Sequence, residues 1–481
     1  MTREFRSRMM RAYNPVGRTC QWAGVHGSGV GQHDPLTYSR AALRDLRQCT
    51  GLLLAACAGV LIVARPARAQ HSLLLDQFIN PDVPGYDTAP GVTVGSRARP
   101  EYTAPGVRLG GFVIRPELTE TAGYSSNVTG TRRARGSAII ETAASVQARS
   151  DWSRHSLGVS VGVNDTRFLD VPRQSFTNWT ASAGGTYDIG RDTVSLAATH
   201  QNLNLTPRDL DTAQVDRVVP FRIDSVRVSY RAAFNRLSLR PELDVSAYDY
   251  DDGTAGGRAY VQSYRNRVVV SPGVTARYEL SPRRSLVLVL RDSNASYSNR
   301  LPGAPRRDFN DVAALAGVDF DAGGALRYRV LAGYQVRVFS SAAYETISAP
   351  VVEAAAIWTP TGLTTVTTSV ARRIQDSADE TTAGFTGTGV QLRVDHEYLR
   401  NVLLRASAGF FRNDYGRDQG QQTLYTAGVG ATWLLNRNMR LAATYDFASR
   451  ETSGIGNLGP GQRLGSSYSE SRYLLQLRLA L

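Results

Sequence analysis

From about residue 108 to the C-terminus, apolar and polar side chains alternate with a period of two. Within residues 155–164, Leu157, Val159, Val161 and Val163 fall on one side, and Ser156, Gly158, Ser160 and Gly162 on the other. Within residues 326–338 every second residue from Leu326 is apolar or aromatic. Arg327, Arg329, Gly333, Gln335 and Arg337 share the opposite face, with Leu331 the one exception. Tyr425, Ala427, Val429, Ala431 and Trp433 alternate with Thr426, Gly428, Gly430 and Thr432. A helix would scatter these sets around its circumference, so the pattern predicts strands. The runs exceed the five or six residues usual for a sandwich strand and approach the length a tilted strand needs to cross lipid.

The connections set the topology. Short turns are expected at Ser153-Arg154, Gly190-Arg191, Asn235-Arg236, Pro282-Arg283, Gly323-Gly324, Thr361-Gly362, Arg400-Asn401 and Asn436-Arg437. Longer polar stretches stand between them or after the last, at residues 249–257, 299–308, 375–382, 413–422 and 452–469. Alternation of tight turns with long loops is the asymmetry of outer-membrane barrels. Eight tight turns with both termini on their side require about eighteen strands. The predicted fold is therefore all-β: a transmembrane antiparallel up-and-down barrel over residues 108–481. Tyr187, Tyr278, Phe320, Trp358, Tyr398 and Trp433 cluster near the proposed periplasmic strand ends, as an interfacial girdle would.

Upstream, residues 70–107 hold many Pro and Gly and no sustained period, which predicts a flexible periplasmic segment. Residues 1–69 read as a leader and secretory signal peptide. Arg40, Arg44 and Arg47 precede an apolar run over residues 51–64, and Ala67-Arg68-Ala69 supplies the small-x-small pattern with cleavage after Ala69. That run is too short to span a bilayer as a helix. All three cysteines (Cys20, Cys49 and Cys57) precede residue 70, so the mature chain would carry no thiol into the oxidising periplasm.

Composition changes the picture in two places. Mean hydropathy is −0.25 and only 20% of residues are charged, values that an alternating barrel reconciles with a membrane location. The net charge is +13, and all 55 basic residues are Arg. Removing residues 1–69 takes away ten Arg and three acids, leaving 45 against 39, or +6. No Arg cluster with interleaved aromatics lies along a helix, so no nucleic-acid partner is expected.

The last residues give a further signal. Tyr473, Leu475, Leu477, Leu479 and Leu481 form one face of a terminal strand, resembling the sequence read by the barrel-assembly machinery, with Leu481 where Phe is usual. From about residue 97 to the end, the chain resembles the putative β-barrel porin 2 family of outer-membrane proteins. The resemblance is carried by Arg99-Pro-Glu-Tyr-Thr-Ala-Pro-Gly-Val-Arg-Leu-Gly110, Phe112-Val-Ile-Arg-Pro-Glu-Leu118, Gly123-Tyr-Ser-Ser-Asn127, Arg149-Ser-Asp-Trp-Ser-Arg-His155 and Phe234-Asn-Arg-Leu-Ser-Leu-Arg240. It implies a porin-like barrel, sometimes linked with envelope polysaccharide systems, and no catalytic residues.

Charges on the polar faces belong in the lumen, because an Arg facing lipid at midplane costs about 2–4 kcal/mol. The candidate lumen-lining set is Arg240, Glu242, Asp244, Arg265, Arg267, Arg277, Glu279, Arg327, Arg329, Arg337 and Arg393. It is open to two readings: an Arg-rich constriction favouring anions, or cross-strand ion pairs that fill a wet interior. His71, His155, His200 and His396 form no metal-ligand spacing, so no metal, cofactor or enzyme activity is expected. The expected function is a porin-like channel for small hydrophilic solutes, anions among them, in the outer membrane of a Gram-negative bacterium. The alternatives are a conduit exporting an acidic exopolysaccharide or capsule, and a closed structural or adhesin barrel. Expected partners are outer-membrane lipid, the barrel-assembly machinery, and small solutes or polysaccharide.

Overall fold

The computed structural model describes residues 83–84, 93–212, 215–323, 325–378, 382–416, 420–454 and 465–481. The expected cleavage site at Ala67 and Ala69 lies outside them. Each alternating run forms a strand. The first nine are β1 (Phe112–Ser125), β2 (Ser137–Ser150), β3 (Ser156–Phe168), β4 (Phe176–Ile189), β5 (Asp192–Leu205), β6 (Val219–Ala233), β7 (Leu237–Tyr250), β8 (Arg267–Ser281) and β9 (Arg284–Tyr297). The rest are β10 (Phe309–Asp321), β11 (Leu326–Phe339), β12 (Ile347–Thr361), β13 (Thr364–Asp376), β14 (Gly384–Leu399), β15 (Val402–Asp414), β16 (Gln421–Leu434), β17 (Met439–Ser453) and β18 (Tyr468–Ala480). Every strand pairs antiparallel with its neighbours in sequence. β18 returns to β1, from Glu117 opposite Ala480 to Ser125 opposite Arg472. Closure matters physically: a sheet edge in hydrocarbon would leave backbone groups without partners.

Connections on one rim run from two to five residues, and on the other from six to sixteen. Two of the four two-residue turns place a residue in the left-handed region, Gly190 at φ 63° and Arg283 at φ 69°. The turn expected at Thr361-Gly362 is Gly362-Leu363 instead, because Thr361 still pairs with Thr364 after a register shift. The bounds of the expected long loops also differ: the loop expected at 249–257 spans 251–266, and those expected at 413–422 and 452–469 shorten to 415–420 and 454–467. Asp249, Gln375, Asn413, Gln422, Thr452 and Ser469 are strand residues, because strands continue past the lipid to where polar side chains carry no penalty. Further long loops occupy residues 126–136, 169–175, 206–218 and 340–346.

The two faces differ as the alternation requires. On β9, Leu286, Leu288 and Leu290 point outward, each about 45% exposed, whereas Val287 and Val289 point inward and are buried. Those two join Ala313, Leu315, Leu331 and Val351 in an apolar cluster on the luminal wall of β9–β12. Leu331, the exception in the β11 pattern, therefore has its partners inside the barrel. Tyr187, Tyr278, Trp358, Tyr398 and Trp433 are exposed near the short-turn rim. Phe320 stacks at a tilt on Tyr328 in the same region, with ring centroids 5.2 Å apart.

Candidate functional site

The loop between β5 and β6 does not project away from the barrel. Its first turn closes locally, with Thr206 N donating to Asp209 Oδ2 at 2.7 Å and Asp209 N to Thr206 O at 3.1 Å. The chain then reaches the far wall, where Leu210 packs with Phe411, Leu424 and Ala448 of β15–β17. Arg208 pairs with Glu470 of β18 at 2.9 Å, and its carbonyl accepts the Tyr468 hydroxyl. Arg450 of β17 donates to the Asp209 carbonyl at 2.6 Å. Backbone groups that would be orphaned in a buried loop thus find partners on the opposite wall.

Asp211 is the hub of this crossing and sits in the left-handed region at φ 54°. Its carboxylate accepts from Ala378 N at 2.7 Å, Ser377 Oγ at 3.2 Å and Tyr415 Oη at 3.1 Å. Its own N–H donates to Gln422 Oε1 at 2.8 Å. Burial pushes the Asp211 carboxyl up to about 7, against the opposing pull of Arg265 and the Ala378 N–H. Burial likewise pushes Asp209 up to about 7, against the Thr206 N–H, Arg208 and Arg450. Both carboxyls are therefore poised to change charge in the neutral range.

Beside the loop lies a chamber of about 390 Å³, bounded by the luminal faces of β5–β13. Four of its arginines are matched with acids: Arg227 with Asp244 at 3.1 Å, Arg291 with Glu353 at 2.5 Å, Arg337 with Asp311 at 2.7 Å and Arg267 with Asp376 at 3.4 Å. Arg307 reaches the other Asp376 oxygen at 3.4 Å and lies over the Tyr264 and Tyr297 rings. Arg265 lies over Tyr250, Arg267 over Tyr248 and Arg337 over Phe309. A guanidinium can be buried at tolerable cost only when paired and stacked in this manner.

Of the residues expected to line the lumen, Asp244, Arg265, Arg267 and Arg337 face this chamber. Arg265 does so from a single 3-10 turn, Ser263–Arg265, and not from the strand where the alternation placed it. The chamber lining does not include Arg240, Glu242, Arg277, Glu279, Arg327, Arg329 or Arg393. Arg240 lies 4.0 Å from Glu242, and Arg277 pairs with Asp319 at 3.0 Å. Arg327 and Arg329 are exposed, opposite Asp321 and Asp319 in the β10–β11 register. Asp209, Asp211, Arg307, Asp376, Arg450 and Glu470 were not foreseen, since they occupy a loop or strand ends. A signal was present in Leu210, an apolar residue flanked by Asp209 and Asp211 in the β5–β6 loop. At the C-terminus, Tyr473, Leu475, Leu477 and Leu479 lie on the outward row and Leu481 follows the strand. Among the described residues, no group of three or more His, Cys, Asp or Glu is placed to hold a metal ion.

No curated protein matches the chain. Among solved structures, the outer membrane protein opdK of Pseudomonas aeruginosa aligns at 12% identity and a TM-score of 0.41, covering 76% of this chain and 99% of that one. OccK2 (OpdF) of the same organism, in complex with glucuronate, aligns at 12% identity and 0.42, covering 76% and 98%. A bacterial polysaccharide outer membrane secretin aligns at 10% identity and 0.34, covering 76% and 98%. Identities this low transfer no residue role. The family model described as "Putative beta-barrel porin 2" matches residues 99–478. With that match over a closed eighteen-stranded barrel, the chain belongs to this family of outer-membrane porin-like proteins.

Proposed function

We propose that the protein is a diffusion channel for small hydrophilic solutes. The observation that carries this reading is the chamber of about 390 Å³ inside a closed barrel, walled by charged and aromatic side chains and narrowed by residues 206–212. A barrel of eighteen strands is wide enough for an aqueous path unless something fills it. The inward loop limits the path to compact solutes, which favours small molecules over a threaded polymer. Four of the chamber arginines are held in ion pairs, and an anion preference would draw on the more exposed Arg240, Arg277, Arg327 and Arg329 outside it.

Purified protein in planar bilayers should give discrete conductance steps, with a reversal potential in a salt gradient that reports the preferred ion. Liposomes carrying it should swell in small sugars and small carboxylates but not in long oligosaccharides. Absence of conductance, together with absence of swelling, would remove the channel reading.

A further inference from the structure

The segment ahead of the barrel makes contacts that a mere tether would not need. Val83 is 2% exposed and packs on Ala197, a luminal residue of β5. A Cβ placed on the neighbouring Gly184 of β4 would stand 2.0 Å from the Pro84 carbonyl oxygen and 3.1 Å from Val83 Cγ1. Only glycine admits the segment so close to the wall. Further along, Val94 is 1% exposed, and its N–H donates to Thr365 Oγ1 of β13 at 3.0 Å. A Cβ on Gly95 would lie 3.3 Å from Arg405 Nη2, beside the Arg405–Asp395 pair of β15 and β14. Arg99 binds Glu397 of β14 at 2.7 Å, Arg97 donates to the Gly362 carbonyl in the β12–β13 turn, and Arg440 of β17 donates to the Tyr102 carbonyl at 3.0 Å.

The positions of these contacts around the barrel give them meaning. β4–β5 and β13–β15 are about half the circumference apart, so residues 83–84 and 93–99 touch opposite walls. Thr365, Glu397 and Gly362 stand at the short-turn rim, whereas residues 206–212 anchor at the long-loop ends of β15–β18. Near residue 107 the chain has left the wall contacts and pairs Val107–Leu109 against Phe112–Ile114 at the start of β1.

We propose that residues 83–84 and 93–102 form a luminal strap, a second constriction at the periplasmic mouth that sets the conductance of the channel. The proposal rests on the channel reading for its electrical consequence, and not for the seating of the strap. Its anchors are the glycine gap at Gly184, the Val94–Thr365 hydrogen bond and the Arg99–Glu397 ion pair. The Arg97 side chain is held by the Gly362 carbonyl and Arg99 by Glu397, so the Arg97–Ala98 bond is a poor trypsin substrate while the strap is seated.

The full-length protein in detergent, and the same protein in planar bilayers, supplies the test. Gly184→Leu should expel Val83 and Pro84, and Arg99→Glu should detach the second anchor. Each should raise single-channel conductance by roughly two-fold, as expected when a strand of chain leaves a pore of this size. The exchange Arg99→Glu with Glu397→Arg should return conductance toward the parent value. Trypsin should cut after Arg97 faster in Gly184→Leu than in the parent, whereas the Arg99–Pro100 bond resists trypsin in both. Equal trypsin rates together with unchanged conductance in a conducting parent would overturn the strap and leave the channel intact. A silent parent whose strap is still protease-protected would remove the channel and leave the strap's seating intact.

Discussion

Arg337 and Arg329 stand on one luminal face of β11, yet water reaches them very differently. Arg337 is 5% exposed, lies over Phe309 and binds Asp311, whereas Arg329, nearer the short-turn rim, is exposed. The contrast extends around the barrel. Arg265 and Arg307 are each 5% exposed and Arg450 is wholly buried, while the side chains of Arg240 and Arg277 are 39% and 42% exposed. Toward the outer rim, arginine acts as a packing element whose charge is cancelled by fixed partners. Toward the periplasmic rim it contributes field in a wet interior, where a nearby acid cancels less of its effect. The same residue type on the same face is thus structural in one half and, on the channel reading, ion-selective in the other.

The largest expected effect comes from removing what separates the halves. Deleting residues 207–212 takes out Leu210 and Asp211, and single-channel recordings should show conductance rising several-fold. Unchanged conductance would mean that the narrowest point lies elsewhere.

Next in size is Arg337→Ala, which leaves Asp311 buried with Gln335 as its remaining partner. Breaking a buried pair typically costs about 3–5 kcal/mol. The variant should therefore unfold at clearly lower denaturant in detergent, followed by the heat-dependent shift in gel mobility.

A smaller effect should follow pH. Seated in the lumen, Asp209 and Asp211 have values near 7, against an ordinary 3.8 once released. The seated loop therefore holds more protons, is most favoured at low pH, and loses stability as pH rises from about 4 through 7. Arg208, Arg450 and Tyr468 face Asp209, while Arg265, Asp376 and Tyr415 face Asp211, so the loss is moderated by cations on both sides. Open probability should rise between pH 5 and pH 8 in the parent and become flatter in Asp209→Asn. A fall with rising pH would reverse the assignment.

The smallest structural effect belongs to Arg329→Glu. An exposed charge contributes roughly 0–1 kcal/mol, so stability should hardly move. The reversal potential should nevertheless shift toward cations. A stability loss matching that of Arg337→Ala would erase the distinction between the halves.

The barrel was legible in the sequence because one physical cause, the contrast between lipid and a polar lumen, repeats along every strand. Tyr328, Val330, Ala332 and Tyr334 declare the outer face of β11 without help from any distant residue. The chamber and its loop were not legible for the opposite reason. Arg450 meets Asp209 across 241 positions of sequence, and Ala378 meets Asp211 across 167. No local period encodes such meetings. Arg267 and Arg337 could be placed on the luminal face, but their burial depends on Asp376 and Asp311 arriving from other strands. Above the lipid, polar residues such as Asn413 and Gln422 remain in strands, where polarity alone suggested loop.

The alternation along one strand is the most direct signature of a membrane-spanning barrel. Single cysteines replacing residues 327–336 of β11 other than Gly333, where a Cβ would meet the Ala314 carbonyl, in a background without Cys20, Cys49 and Cys57, can be spin-labelled and exposed in bilayers to oxygen and to a water-soluble nickel chelate. Even-numbered positions should favour oxygen and odd-numbered positions the chelate, except the packed Leu331 and Gln335, which should resist both. Uniform accessibility along the strand, or a period near 3.6, would contradict a membrane-spanning barrel.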